Sequence, residues 1–101
     1  MKRILVVDDV SANRELIREA LDSDHYQISE AQEGRQALQI ARELHPDLVI
    51  TDLRMPGLSG IDLLKTLRPE FPDTAVVVVT AFGTVDTAVE AMKVGAYDYL
   101  S

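Results

Sequence analysis

Three apolar or β-branched runs, each stopping at a polar residue, constrain this chain more than any other feature. Ile4 to Val7 runs into Asp8-Asp9, Leu48 to Thr51 into Asp52, and Ala75 to Val79 into Thr80. Unbroken runs of this length suit strands buried on both faces, as in a parallel sheet. Met55-Pro56-Gly57 follows Asp52 almost at once and reads as a turn. It stops the strand and leaves the carboxylate at its carboxyl end, facing a crevice rather than a core. Open α/β sheets place their ligands along that edge.

The segments between the runs read as helices and weaker strands. Ser11 or a neighbour can cap a first helix in which Leu16, Ile17, Ala20 and Leu21 recur at helical spacing. Tyr26 to Glu30 alternates apolar and polar residues, as a half-exposed edge strand does. Gly34 to Leu44 carries an apolar face of Ala37, Leu38, Ala41 and Leu44, and Pro46 ends it. Ser59 can cap a third helix holding Ile61, Leu64 and Leu67 inward and closing at Pro69. Gly83-Thr84 opens a fourth, with Val85, Ala88, Val89 and Met92 at i, i+3, i+4 and i+7, and Gly95 fits its C-terminal cap. Tyr97 to Leu100 is a last short strand.

Strict strand–helix alternation with short loops implies right-handed crossovers and a parallel sheet. The wholly apolar first, third and fourth strands belong at the centre, the mixed second and fifth at the edges. The expected fold is therefore α/β: a flavodoxin-like, doubly wound, five-stranded parallel sheet of order 2-1-3-4-5, one domain over residues 1–101. Its switch point lies between strands one and three. That topology alone gathers Asp8, Asp9 and Asp52 in one crevice.

Composition narrows the function. With 47% hydrophobic and 27% charged residues, the chain is ordinary for a globular domain and unlike a disordered one. No apolar run approaches the ~20 residues that span a bilayer, and Met1-Lys2-Arg3-Ile4 leads directly into a strand, so neither a membrane span nor a secretory leader is expected. The absence of cysteine excludes disulfides and thiolate metal sites and makes a cytoplasmic location the default. A net charge of −7 argues against direct contact with nucleic acid.

Three converging carboxylates repel one another, and a hard divalent cation is the usual resolution. Mg²⁺ takes oxygen ligands and commonly pairs one or two carboxylates with a phosphate; Mn²⁺ is a second candidate. Asp9 and Asp52 are the expected direct ligands, with Asp8 acting through water and the backbone carbonyl of Arg54 completing the set. Simple capping of the first helix would explain one acid but not three.

The chain resembles the receiver domain of bacterial two-component response regulators. The resemblance rests on Ile4-Leu5-Val6-Val7-Asp8-Asp9, on Thr51 to Gly60, on Val79-Thr80-Ala81 and on Gly95 to Leu100, in order and correctly spaced. The run from Thr80 to Lys93 further resembles receivers of the nitrogen-regulatory, enhancer-binding activator type. The resemblance implies that Asp52 accepts a phosphoryl group from a histidine kinase or phosphotransfer domain. It implies that backbone amides near Met55 and Ala81 approach the phosphoryl oxygens, and that Arg54 and Phe82 flank the attack path. Thr80 and Tyr99 would form the switch pair, Thr80 moving inward and Tyr99 rotating into the vacated space. The bland readings of these two are a β-branched strand residue and a half-buried ring with a wet hydroxyl. Met55 and Met92 are expected to fill gaps in the core, and His25 and His45 to lie at the surface.

One departure stands out. Receivers carry a lysine in a Lys-Pro dipeptide after the fifth strand and then a fifth helix; here the chain stops at Ser101, with no catalytic lysine. The expectation is a C-terminally truncated receiver, part of a longer natural chain with an output domain beyond residue 101. Without the helix, the first and third strands should expose an apolar patch that dimerisation could cover. The output surface would be Thr84–Lys93 with Tyr97–Leu100, serving transcription control. Two other readings compete. One is a phosphorylation-independent interaction module of the same fold. The other is a Mg²⁺-dependent phosphohydrolase, which usually has a second Asp two residues after its nucleophile, where this chain has Arg54.

Overall fold

The computed structural model describes residues 1–21, 24–81 and 83–101. The strands are β1 (Lys2–Val7), β2 (Tyr26–Ala31), β3 (Leu48–Thr51), β4 (Ala75–Val79) and β5 (Asp98–Leu100). The helices are α1 (Ser11–Ala20), α2 (Gly34–Leu44), α3 (Gly60–Glu70) and α4 (Val85–Val94). The strands form one parallel sheet of order β2-β1-β3-β4-β5. This is the topology expected from the alternation of apolar runs, and the described helices number four, without a fifth.

The sheet has two unlike faces. Leu5, Val7, Val49, Val76 and Val78 point to one side, where Ala37 and Ala41 of α2, Leu63, Leu64 and Leu67 of α3 and Ala91 of α4 close a continuous core. On the other side Ile4 and Val6 of β1 are also buried, whereas Leu48, Ile50, Val77 and Val79 are only half-buried. The thinly covered face therefore lies on β3 and β4, not on β1 and β3 as expected. Through Arg14 and Arg18, which reach Glu30 and Ile28 of β2, α1 shields the β1–β2 end.

Several local readings need correction. Ser11 does not cap α1: Val10 occupies the N-cap with no side-chain acceptor, and its N–H is instead taken by the Asp8 carboxylate at 2.9 Å. The apolar residues of α1 are not its buried ones either, since Leu16 is 64% exposed and only Arg14 is buried. Helix α3 continues one residue past Pro69 to Glu70. A proline in the last turn removes one intrahelical donor and is tolerated there better than mid-helix. The apolar stripe of α4 faces outward, with Val85, Val89 and Met92 exposed and Ala91 alone fully buried, so Met92 fills no gap. Met55 does pack against the core, and His25 and His45 are exposed.

Caps and glycines set the loops that matter. A reciprocal capping box of Ser59 and Asp62 opens α3, and a second, of Thr84 and Thr87, opens α4. Gly95 adopts the left-handed conformation that ends α4, with φ of 112°.

A candidate phosphoacceptor and metal site

The sheet register delivers the acids. Val7 pairs with Thr51, so the next residues on the two strands, Asp8 and Asp52, leave the sheet side by side. The N–H of Asp52 donates to the Val7 carbonyl at 3.1 Å, continuing the ladder one step beyond the strand. Oxygens of Asp8, Asp9 and Asp52 come within 4.8 Å of one another. Asp8 and Asp52 are buried, whereas Asp9 is exposed at the rim.

Each buried acid is held by backbone donors. The Leu53 N–H donates to Asp52 Oδ1 at 2.6 Å, and the Val10 N–H to Asp8 Oδ1 at 2.9 Å. Burial pushes the Asp8 carboxyl above the ordinary carboxylate range, and the charges of Asp52 and Asp9 push the same way. The Val10 N–H and the Asn13 side chain pull it back. Crowding of like charge in a poorly solvated place is relieved by a cation. The donors are all oxygen, a set that fits a hard divalent ion rather than zinc or copper.

Gly60 is as much a part of the site as the acids. A Cβ there would collide with the Asp52 carbonyl and crowd Leu53 Cα. The absence of a side chain lets the N-terminus of α3 pack directly on the chain just past β3, where the Gly60 N–H donates to the Leu53 carbonyl at 2.8 Å.

Asp8 and Asp52 also line a crevice of about 360 Å³ shared with Asn13, Thr80 and Ala81. Thr80 is buried at the end of β4, its N–H bonded to the Leu100 carbonyl at 3.0 Å. Arg54 is exposed and Met55 half-buried in the loop after Asp52. Tyr99 does not line that crevice: its ring packs against the core and its hydroxyl lies 2.9 Å from Thr87 Oγ1 of α4. Phe82, expected beside the attack path, lies outside the described residues. Among the described residues no lysine lines the crevice: Lys65 pairs with Glu90 on the α3–α4 side, and Lys93 is exposed late in α4.

The profile of the response regulator receiver domain matches residues 4–101, nearly the whole chain. This chain belongs to the receiver domain family. The transcriptional regulatory protein ZraR of Escherichia coli K12 is 43% identical over 97 residues, which are 96% of this chain and 22% of ZraR. The chemotaxis protein CheY of Thermotoga maritima is 35% identical over 100 residues, 98% of this chain and 83% of CheY. A receiver domain crystal structure from Clostridium thermocellum superposes with a TM-score of 0.91 at 38% identity, covering 99% of this chain and 81% of that one. This receiver thus spans about a fifth of the length of ZraR and most of the length of CheY.

Sequence reasoning singled out the acids, Thr80 and Tyr99 but missed Arg14, Asn13, Gly60 and Thr87. For Arg14 a signal was available: it falls in helical register with Ile17 and Leu21, on the inner face of α1.

Proposed function

We propose that this receiver accepts a phosphoryl group on Asp52 from the phosphohistidine of a histidine kinase or phosphotransfer domain and transmits the change to an output surface. The observation that carries the reading is the convergence of Asp8, Asp9 and Asp52 within 4.8 Å, with Asp8 and Asp52 on a crevice shared with Thr80. An Asp52 oxygen bonds to phosphorus as the donor's P–N bond breaks, and the imidazole leaves. Carboxylates are weak nucleophiles, so the rate must come from positioning and charge neutralisation. Asp9, Asp52 and the Arg54 carbonyl would hold Mg²⁺ or Mn²⁺ directly, and Asp8 through water. The bound ion offsets charge on the transferring phosphoryl oxygens. The N–H groups of Met55 and Ala81 and the hydroxyl of Thr80 approach the remaining oxygens.

Thr80 then moves toward the phosphoryl group and Tyr99 turns with it, altering α4 and β5. Val85, Val89, Met92, Tyr97 and Leu100 are exposed on those elements and their connection, an apolar surface suited to an output domain beyond residue 101 or to a second copy of the domain. Transcription control is the output favoured by the likeness to ZraR. With its net charge of −7, this domain leaves any nucleic acid contact to its partner. Among the described residues no helix is long and apolar enough to cross a membrane, in keeping with action in the cytoplasm. The domain catalyses only its own phosphorylation and dephosphorylation.

Titrating the metal-free protein with Mg²⁺ in a calorimeter tests the reading. Saturable one-site binding that Asp9→Asn abolishes is expected. No binding would favour the phosphorylation-independent interaction module.

A further inference from the structure

Arg14 is the one buried residue of α1, in a helix whose single leucine, Leu16, faces outward. A guanidinium is rarely buried unless paired, and Arg14 is bonded twice. Its Nη1 donates to the backbone carbonyl of Asp8 at 2.7 Å, and its Nε donates to Glu30 Oε1 on β2 at 3.0 Å. Glu30 is in turn shared with Arg18 at 3.5 Å.

The Asp8 carbonyl belongs to the peptide plane that joins Asp8 to Asp9. Asp8 itself is pinned from two further directions, its N–H on the Ala31 carbonyl and its Oδ1 under the Val10 N–H. Asp9 has no such support. Its carboxylate is exposed, and among the described residues no hydrogen bond holds it. The place of that carboxylate therefore follows from the orientation of the Asp8–Asp9 peptide, and the group gripping that peptide's oxygen is Arg14.

We infer that Arg14, oriented by Glu30, is a positioning residue: it clamps the Asp8–Asp9 peptide so that the Asp9 carboxylate meets Asp8 and Asp52 at the cation site. The inference rests on the cation-dependent reading of the crevice given above. It makes a prediction opposite in sign to simple electrostatics. Removing a positive charge near three carboxylates should, by Coulomb attraction alone, tighten Mg²⁺ binding. Removing a clamp should loosen it, as loss of supporting groups behind metal ligands does.

The test is Mg²⁺ affinity by calorimetry on the 101-residue chain, beside thermal melting of the same metal-free samples. Arg14→Gln is expected to weaken Mg²⁺ binding about tenfold. Arg14→Lys keeps the charge but cannot present two donors in a fixed fork, and is expected to weaken binding roughly threefold. If Arg14→Gln does not fold, Arg14→Lys decides by the same criterion. Variants that melt lower yet bind Mg²⁺ as well as the wild type, or more tightly, would overturn the clamp and leave a purely structural ion pair. A wild-type protein that binds no Mg²⁺ would overturn the cation reading itself, and the clamp with it.

Discussion

The Tyr99 hydroxyl lies 2.9 Å from Thr87 Oγ1, and that same oxygen is half of the capping box that opens α4. The Thr84 N–H donates to Thr87 Oγ1 at 2.9 Å, and the Thr87 hydroxyl lies 3.0 Å from the Thr84 carbonyl. Gly83 completes the arrangement, because a Cβ there would strike the Tyr99 hydroxyl and ring. The proposed switch tyrosine is thus tied to the first turn of the helix that exposes Val85, Val89 and Met92, and any rotation of Tyr99 must break its bond to that turn.

Tyr99→Phe removes one hydrogen bond and leaves Thr87 its bonds to Thr84. The expected loss is about 0.5–1.5 kcal/mol, read as a lower midpoint in urea unfolding. Thr87→Val removes both the tyrosine partner and half of the capping box, so it should cost more than Tyr99→Phe. A Tyr99→Phe midpoint equal to that of the wild type would show that the tyrosine is not coupled to the cap.

Gly60→Ala places a methyl group against the Asp52 carbonyl, which as backbone cannot swing aside. Overpacking of this kind typically costs about 1–3 kcal/mol, a fall in Tm of roughly 4–8 °C for each kcal/mol in a domain of this size. Mg²⁺ affinity should fall with it, since the strand being displaced carries Asp52.

Asp8 gives a pH dependence of definite sign. Its folded-state carboxyl is raised above the ordinary aspartate value, burial being the main cause. The folded chain therefore holds this proton more tightly than the unfolded chain does. The resulting stabilisation is fully present below about pH 3.8 and is lost as pH rises through the raised folded-state value. At neutral pH the ionised carboxylate works against folding. Asp8→Asn should stabilise the metal-free protein at pH 7, and the advantage should shrink on acidification. Urea unfolding of both proteins in chelator across that range checks it.

Much of this architecture is legible in the chain. Ile4–Val7, Leu48–Thr51 and Ala75–Val79 can only be central strands, and a parallel sheet then forces their terminal residues to one edge. What the pattern conceals is direction and partnership. Val85, Ala88, Val89 and Met92 share a helical face by spacing, but spacing does not say whether that face meets the sheet or the solvent; Ala91 is the residue that goes in. Arg14 shares a helical face with Ile17 and Leu21, but its partners, Glu30 and the Asp8 carbonyl, distant or silent in sequence, are brought to it only by folding. Val10 shows the same limit: it stands at the N-cap with no side-chain acceptor to offer, and its own N–H goes to a site carboxylate.

The most direct test of the central claim is intact-mass spectrometry after incubation with a small-molecule phosphodonor, with and without Mg²⁺, on wild type and Asp52→Asn. The account predicts one phosphoryl adduct on the wild type that requires Mg²⁺ and is absent from Asp52→Asn. An adduct that persists in Asp52→Asn, or no adduct on wild-type protein that has bound Mg²⁺, would contradict it.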